Sequence, residues 1–427
     1  MNRNMTRISL LVNNFPPEVG SAADLFYQLA IAFSKRGHLV KLFTTEPRRY
    51  NLGNGQIRNS MLKGLGSRLW SMEQMNDKLY VYRVKLLPLI YPRSGKSAFF
   101  RELEHVLQPF MFCAFVHYLA SSDIILVYSP PLLLGYLGTL IGKLLNIPVI
   151  INVQDIHPDA IVDLGLLKNK FLISFFESIE RQMYLYASAI TVHSDGNRGI
   201  VVKHGTDPKK VFTIFNACHI PTQELLSQGL YFRKKFSLEG KFIVTYAGIM
   251  SFSQDLDTVI RAAKLLSNKI RNLIFLLVGD GPVRHELEIL SKELRTTNVM
   301  FLPFQKGENY WNLLSASDVC LVCLKQSKVK TPVVPRKLED IMAAGRPVIA
   351  NVPLNGDVSK FVEDAKCGIV VKSESPSELA DAIQKMYNMC KNDREQYGRN
   401  GRMYAVQNFS PQAIAMQYEV LFNSVSY

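Results

Sequence analysis

The sequence predicts an α/β protein built from two Rossmann-like domains, each a parallel sheet with helices on both faces. Short apolar runs with strand character alternate almost throughout with amphipathic helical stretches, the pattern of parallel, doubly wound sheets. The alternation falls into two series of roughly 200 residues each, as expected of two such domains. The composition agrees: 427 residues with 48% hydrophobic and 20% charged side chains exclude a disordered chain, a collagen and a small disulfide scaffold.

The elements follow in order. Ile8–Val12 reads as the first strand. A helix near Ser21–Lys35 has apolar residues at 22, 25, 26, 29, 32 and 33, and Gly37 ends it before a strand at Leu39–Thr44. Further strands are expected near 80–84, 124–128, 148–153, 189–193 and 211–215. The polar stretch around 218–240 breaks the rhythm and is expected to be a linker. The second series has strands at 242–247, 273–278, 298–302, 318–324, 347–351 and 368–371. From Ser410 to about Phe422 a last helix opens with Ser-Pro, a capping residue followed by proline at the first helical position. The expected organisation is thus a first domain over 1–217, a linker over 218–240, a second domain over 241–408, and a terminal helix over 409–427 packing back toward the first domain.

Two runs test this reading. Ile124 to Gly142 is uncharged and long enough to raise a membrane span, but Pro130-Pro131 splits it and Pro148 precedes a second strand, so strand, turn, helix, strand is expected. Five apolar residues from Ile8 to Val12, ended by Asn13-Asn14, are too few for a secretory signal. The six cysteines are scattered, as in reduced intracellular proteins. Cys320 and Cys323 lie three apart in a strand-like run and point to opposite faces, so a buried strand is expected there and not a metal site.

The net charge of +14 is uneven: residues 35–101 hold 14 basic and three acidic side chains. An anionic partner would meet the chain there. Leu62, Leu65, Leu69 and Trp70 are among the apolar residues interleaved with these charges, and the uncharged stretch Val106–Ala120 follows. That stretch is too short to span about 30 Å of hydrocarbon but long enough to lie in a membrane interface, so an anionic membrane surface is the expected partner. The alternative is a solvated basic face with an apolar segment in the core.

Four segments can carry chemistry. Asn13–Ala23 joins the first strand to the first helix, and Gly20 either lets a phosphate approach the helix N-terminus or serves the turn alone. Val278-Gly-Asp-Gly-Pro282 fits part of a dinucleotide fingerprint but lacks its third glycine. In Pro335–Ile349, Arg336 and Lys337 sit at the positive end of a helix, where cations are unfavourable unless an anion arrives. Glu339, a turn further in, could accept two ribose hydroxyls or simply complement the dipole. Asp155 and His157 follow a strand end, where open sheets keep their chemistry, although Asp155 as a helix cap is equally open. Asp255-Leu-Asp257 has the D-x-D form, but acidic residues belong at a helix start for capping.

Taken together and in this order, these segments resemble the family-4 retaining glycosyltransferases of the GT-B fold, and most nearly the bacterial branch that builds surface polysaccharides on lipid carriers. Phe-Pro-Pro-Glu-Val-Gly20 is similar to that family's amino-terminal glycine loop, Arg36-Gly-His-Leu-Val40 to its next segment, and Val278–Pro282, Ser317-Asp318 and Pro335–Ile349 to its donor domain. The resemblance implies two domains facing across a cleft and transfer of a hexosyl or N-acetylhexosaminyl group from a nucleotide sugar, with anomeric retention, to a lipid-linked saccharide acceptor. It implies Gly20 near the donor phosphates, Lys337 on the diphosphate, Glu339 on the ribose, residues near Phe301–Phe304 beside the base, and Asp155 and His157 on the acceptor side. UDP-sugar is expected ahead of GDP-sugar, with no cofactor, no metal and no nucleic acid, in a cytoplasmic protein peripheral to the inner face of the cell membrane. Three positions depart from the pattern, one of them Thr331, outside the residues the structure describes, which stands where the first of two glutamates eight apart is usual. Gly248 is followed by Ile249, and Gln254-Asp255 stands where Lys-Gly is usual, so two diphosphate cations are replaced and Arg336 and Lys337 would carry that charge with backbone N–H groups. A degenerate partner subunit and a nucleotide-sugar 2-epimerase are the rival readings.

Overall fold

The computed structural model describes residues 5–18, 20–47, 70–84, 108–163, 165–326 and 334–425. The chain divides into two compact units, Met1–Ala217 with Pro411–Tyr427, and Cys218–Ser410.

The first unit is built on an eight-stranded sheet, β1 (Arg7–Leu11), β2 (Leu39–Thr45), β3 (Trp70–Asn76), β4 (Leu79–Val84), β5 (Ile124–Ser129), β6 (Val149–Val153), β7 (Ala189–Val192) and β8 (Val211–Thr213). Their spatial order is β3-β4-β2-β1-β5-β6-β7-β8, parallel except for β3. The order reverses at β1, which pairs with β2 on one side (Ile8↔Val40) and β5 on the other (Ile8↔Ile124), so its carboxyl end is a topological switch point. Strand β3 goes beyond the expected elements. Its sequence WSMEQMN shows no apolar alternation because it lies antiparallel on the sheet edge, mostly exposed, turned back onto β4 by a tight hairpin.

Residues 124–153 form strand, helix and strand, with Leu132–Leu145 between β5 and β6. Among the described residues no helix is long and apolar enough to cross a membrane. Where it is described, the apolar segment expected to lie in a membrane interface places Phe112 and Phe115 in the core and leaves Phe110 exposed. Gln108–Phe115 is a 3₁₀ turn continued by Val116–Leu119, and Phe112, Phe115 and Leu119 are buried in the core with Phe43, Tyr82 and Val127. Burying those rings against the sheet removes more apolar area from water than one face laid on a surface would. Most of the basic stretch lies outside the described residues.

The helix Pro411–Val425 belongs to the first unit. It packs on helix Ser21–Lys35, with the Phe33 ring 5.5 Å from Phe422 and 6.0 Å from Tyr418. Arg36 donates twice to the Glu419 carboxylate, at 2.5 and 2.6 Å, and His38 Nε2 lies 2.9 Å from the same group.

The second unit holds β9 (Phe242–Ala247), β10 (Leu273–Val278), β11 (Val299–Leu302), β12 (Val319–Cys323), β13 (Val348–Val352) and β14 (Gly368–Lys372) in the order β11-β10-β9-β12-β13-β14, all parallel. Here the switch point lies between β9 and β12. Residues 218–240, expected as a linker, instead carry two short helices, Gln223–Leu226 and Gly229–Lys235, within this unit. Phe232 and Leu238 are buried beneath β9 and β10, and Arg233 bridges Asp318 at 2.7 Å. Their polar surface residues hide these anchors in the sequence.

Candidate functional site

The second unit's switch point is lined by the loop from Gly248 to Asp255, which joins β9 to helix Leu256–Leu266. This loop lies directly on the one that follows β10: Gly248 N donates to Val278 O at 2.9 Å and Met250 N to Asp280 O at 2.8 Å. A side chain at Gly279, whose φ is +145°, would come within 1.9 Å of Gly248 O, and one at Gly281 within 2.3 Å of Met250 O. The two glycines of Val278–Pro282 therefore let two loops touch, which accounts for them without a phosphate.

Gly248, Gln254 and Lys337 are brought together. Lys337 is the first residue of helix Lys337–Ala343, and its ammonium reaches back to β9. Nζ donates to Tyr246 Oη at 2.8 Å and to Gln254 Oε1 at 2.6 Å, and stands 4.0 Å from the centre of the Tyr246 ring. The Tyr246 hydroxyl in turn donates a hydrogen bond to Ile249 O at 2.6 Å. Gln254, standing where a cation is usual in the family this chain resembles, is an acceptor for Lys337. Among the described residues no carboxylate lies within ion-pair distance of this lysine. Its partners are neutral, and burial lowers its pKa to about 8. Tyr246 was not legible as a site residue, because a tyrosine inside a buried strand reads as core.

Glu339 lies two residues on and so does not share Lys337's face of the helix. It is only 6% exposed, and its Oε2 has no hydrogen-bond partner among the described residues. Burial raises its pKa to about 8, against the opposing influence of Arg336. A pKa in that range favours the protonated acid at neutral pH. Asp340, half-buried beside it, accepts the Tyr310 hydroxyl at 3.2 Å. Arg336 precedes the helix, half-buried. Phe304 is exposed, as are Ile249 and Phe252 in the β9 loop.

The remaining motifs are structural. Asp255 is fully buried and takes Thr258 Oγ1 at 2.9 Å, Asn351 Nδ2 at 2.8 Å and Glu374 N at 2.6 Å, tying the β9 loop to the ends of β13 and β14. Asp318 accepts Arg233 and Ile243 N, and Ser317 bonds Thr245 at 2.6 Å. Cys320 and Cys323 are fully buried in β12, and burial pushes both thiols up to about 12. Among the described residues no group of three or more His, Cys, Asp or Glu side chains could hold a metal ion.

In the first unit Gly20 precedes helix Ser21–Lys35 with φ 167°, an extended conformation open to any residue, and a side chain there would meet nothing within 4 Å. Neither turn geometry nor packing requires this glycine, and only open space in front of the helix remains to explain it. Asp155 and His157 follow β6. Asp155 is exposed and close enough to raise the pKa of both the buried Tyr128 and half-buried His157, while burial lowers His157 overall. Tyr128, at the end of β5 and edge-on to Phe26, is a neighbour that the sequence reading lacked. Beside them, Asn152 donates to Thr191 at 3.2 Å and Tyr418 at 2.9 Å, and Gln154 bonds Asn152 and Asn216.

Residues 228–404 match the family model described as glycosyl transferases group 1. Over 420 residues, 95% of this chain and 97% of its relative, the sequence is 22% identical to WcaI of Escherichia coli strain K12, provisionally named a colanic acid biosynthesis glycosyl transferase. It is 25% identical over 331 residues, 75% of this chain and 80% of its relative, to WbjE of Pseudomonas aeruginosa, provisionally named a glycosyltransferase. The fold superposes on Anabaena Alr3699/HepE, solved in complex with UDP, with a TM-score of 0.68 and 16% identity, covering 98% of this chain and 100% of that one. The second unit thus resembles the glycosyl transferases group 1 family, in a chain that has the two-domain GT-B fold and is similar over most of its length to bacterial proteins named as polysaccharide-biosynthesis glycosyltransferases.

Proposed function

We propose that this protein is a retaining glycosyltransferase that moves a hexosyl or N-acetylhexosaminyl group from UDP to a lipid-linked saccharide during cell-surface polysaccharide synthesis, on the cytoplasmic face of the membrane and without a metal. The observation that carries this reading is Lys337, a half-buried cation at the switch point whose partners among the described residues are neutral. An arriving diphosphate would supply the missing counter-charge. The name of WcaI supports a place in polysaccharide synthesis, and the solved complexes of Alr3699/HepE with UDP and UDP-glucose support the nucleotide.

In this reading Lys337 neutralises the diphosphate as charge develops on it, with Arg336 and the backbone N–H groups of the Gly248 loop assisting. Glu339 lends its unpartnered Oε2 to a ribose hydroxyl. Gly20 leaves room for phosphate at the first unit's helix N-terminus. The bond from sugar C1 to the phosphate oxygen breaks, C1 bonds the acceptor oxygen on the same face, and the departing phosphate takes the acceptor's proton. Asp155 and His157 orient that hydroxyl and do not attack. Calorimetric titration is expected to show UDP binding ahead of GDP, and UDP release from a UDP-sugar should require a lipid-linked acceptor. Absence of nucleotide binding, or conversion of UDP-N-acetylglucosamine with no acceptor present, would overturn the proposal.

A further inference from the structure

A surface that this chemistry does not use lies at the start of helix Lys170–Tyr186 in the first unit. From Leu164 to Phe176 the sequence has no acidic residue and two lysines, Lys168 and Lys170. Within this run Leu166 is 76% exposed, Phe171 78%, Leu172 42% and Phe175 52%. The later half of the helix is held in place by Ile179, Met183 and Tyr184, all buried, whereas in its first two turns only Ile173 and Phe176 are half-buried, Phe176 against the core, and Phe171, Leu172 and Phe175 stay exposed. They are nonetheless ordered helix: Asn169 Oδ1 accepts Phe171 N at 2.9 Å and Leu172 N at 3.2 Å. Phe171 and Phe175, one turn apart, share a face, with Leu172 beside them.

Isolated exposed apolar residues are ordinary, but four in one short run, with lysines and no acid, mark an interaction surface. We infer that this edge is where the protein docks on an anionic lipid bilayer. The phenyl and leucyl groups enter the acyl boundary while Lys168 and Lys170 reach lipid phosphates from their flexible stems. The placement suits the acceptor. The chain runs from His157 through the short helix Asp159–Asp163 to this edge, and Leu166 N and Leu167 N both bond Ile161 O, at 3.0 and 3.3 Å. A lipid-linked acceptor would thus meet the membrane-facing edge close in sequence to Asp155 and His157. The inference rests on the proposed lipid-linked acceptor and takes the docking role from Val106–Ala120, whose Phe112, Phe115 and Leu119 pack in the core.

The test is flotation of the full chain with phosphatidylcholine–phosphatidylglycerol vesicles that contain no acceptor, at low salt, with UDP calorimetry in parallel. Wild type should float, and should release as salt screens the lysines. The variants F171S/F175S and K168E/K170E should each lose at least about tenfold in partition, with UDP affinity unchanged. Because the lysines are exposed, the second variant remains informative if the first misfolds. Wild type that stays unbound, or both variants floating like wild type, overturns the inference. So does self-association that F171S/F175S abolishes without changing flotation, which would assign the edge to a second copy of the chain. None of these results alters the nucleotide titration, which tests the transferase reading alone.

Discussion

In the first unit, at the carboxyl ends of β6 and β7, the Asn152 amide donates to Thr191 and Tyr418, those two hydroxyls lie 3.0 Å apart, and Gln154 and Asn216 exchange hydrogen bonds. In the second unit, at the carboxyl end of β9, Lys337 finds only a phenol and an amide, and Glu339 Oε2 finds nothing among the described residues. Both groups are buried or half-buried polar clusters at sheet edges, yet one is satisfied from within and the other is not. A satisfied network rigidifies: it locks the terminal helix to the first unit through Tyr418. An unsatisfied charge or carboxyl costs stability in the empty protein and is explained if a ligand completes it.

Three changes would break or sharpen this contrast. Lys337→Ala should weaken UDP binding at least about tenfold, since a charge-assisted contact is worth roughly 1.5–3 kcal/mol. Thermal stability should hold or rise, because a desolvated ammonium is removed. Calorimetry and a melting curve read the two effects, and an unchanged nucleotide affinity would remove Lys337 from the site. Asn152→Ala should do the reverse. Leaving Thr191, Tyr418 and Gln154 short of a buried partner should cost about 1–3 kcal/mol of unfolding free energy with UDP affinity intact, measured by denaturant titration.

The smallest expected effect is in pH. Glu339 is raised from 4.5 to about 8 in the folded protein, so the folded state holds a proton that the unfolded chain has lost between those values. Its stabilising contribution is complete below the unfolded value and is lost as pH rises through about 8. Glu339→Gln should flatten that slope. Lys337 acts on binding in the same range. With its pKa at about 8 in the empty protein, UDP affinity should hold below that pH and fall above it, as binding comes to require uptake of a proton. Urea titrations and calorimetry from pH 6 to about 9.5 follow both. A Glu339→Gln protein with the wild-type stability slope would place the titrating group elsewhere.

Much of the architecture is local and was legible without coordinates. Runs such as Leu273–Val278 can only be buried strands, the apolar stripe of Ser21–Lys35 only a helix packed on one side, and Pro130-Pro131 rules out a continuous span. Strand β3 was not legible, because an exposed edge strand has no apolar alternation to betray it. Lys337 was legible as a cation at a helix start, since charge at that position is unfavourable without an anion. What that cation touches was not. Tyr246 and Gln254 are 91 and 83 residues from Lys337, and no local rule links them. Only the parallel sheet, by setting β9 at the switch point with the helix Lys337–Ala343 nearby, turns a core tyrosine and a glutamine into the lysine's two partners. The same holds for Glu339: its sequence allows a ribose acceptor or a dipole partner, and it is burial first, with Asp340 beside it, that raises its pKa. Periodicity determines which residues become strand or helix. The pKa values and partners of the site depend on which distant atoms exclude water, and only the tertiary structure decides that.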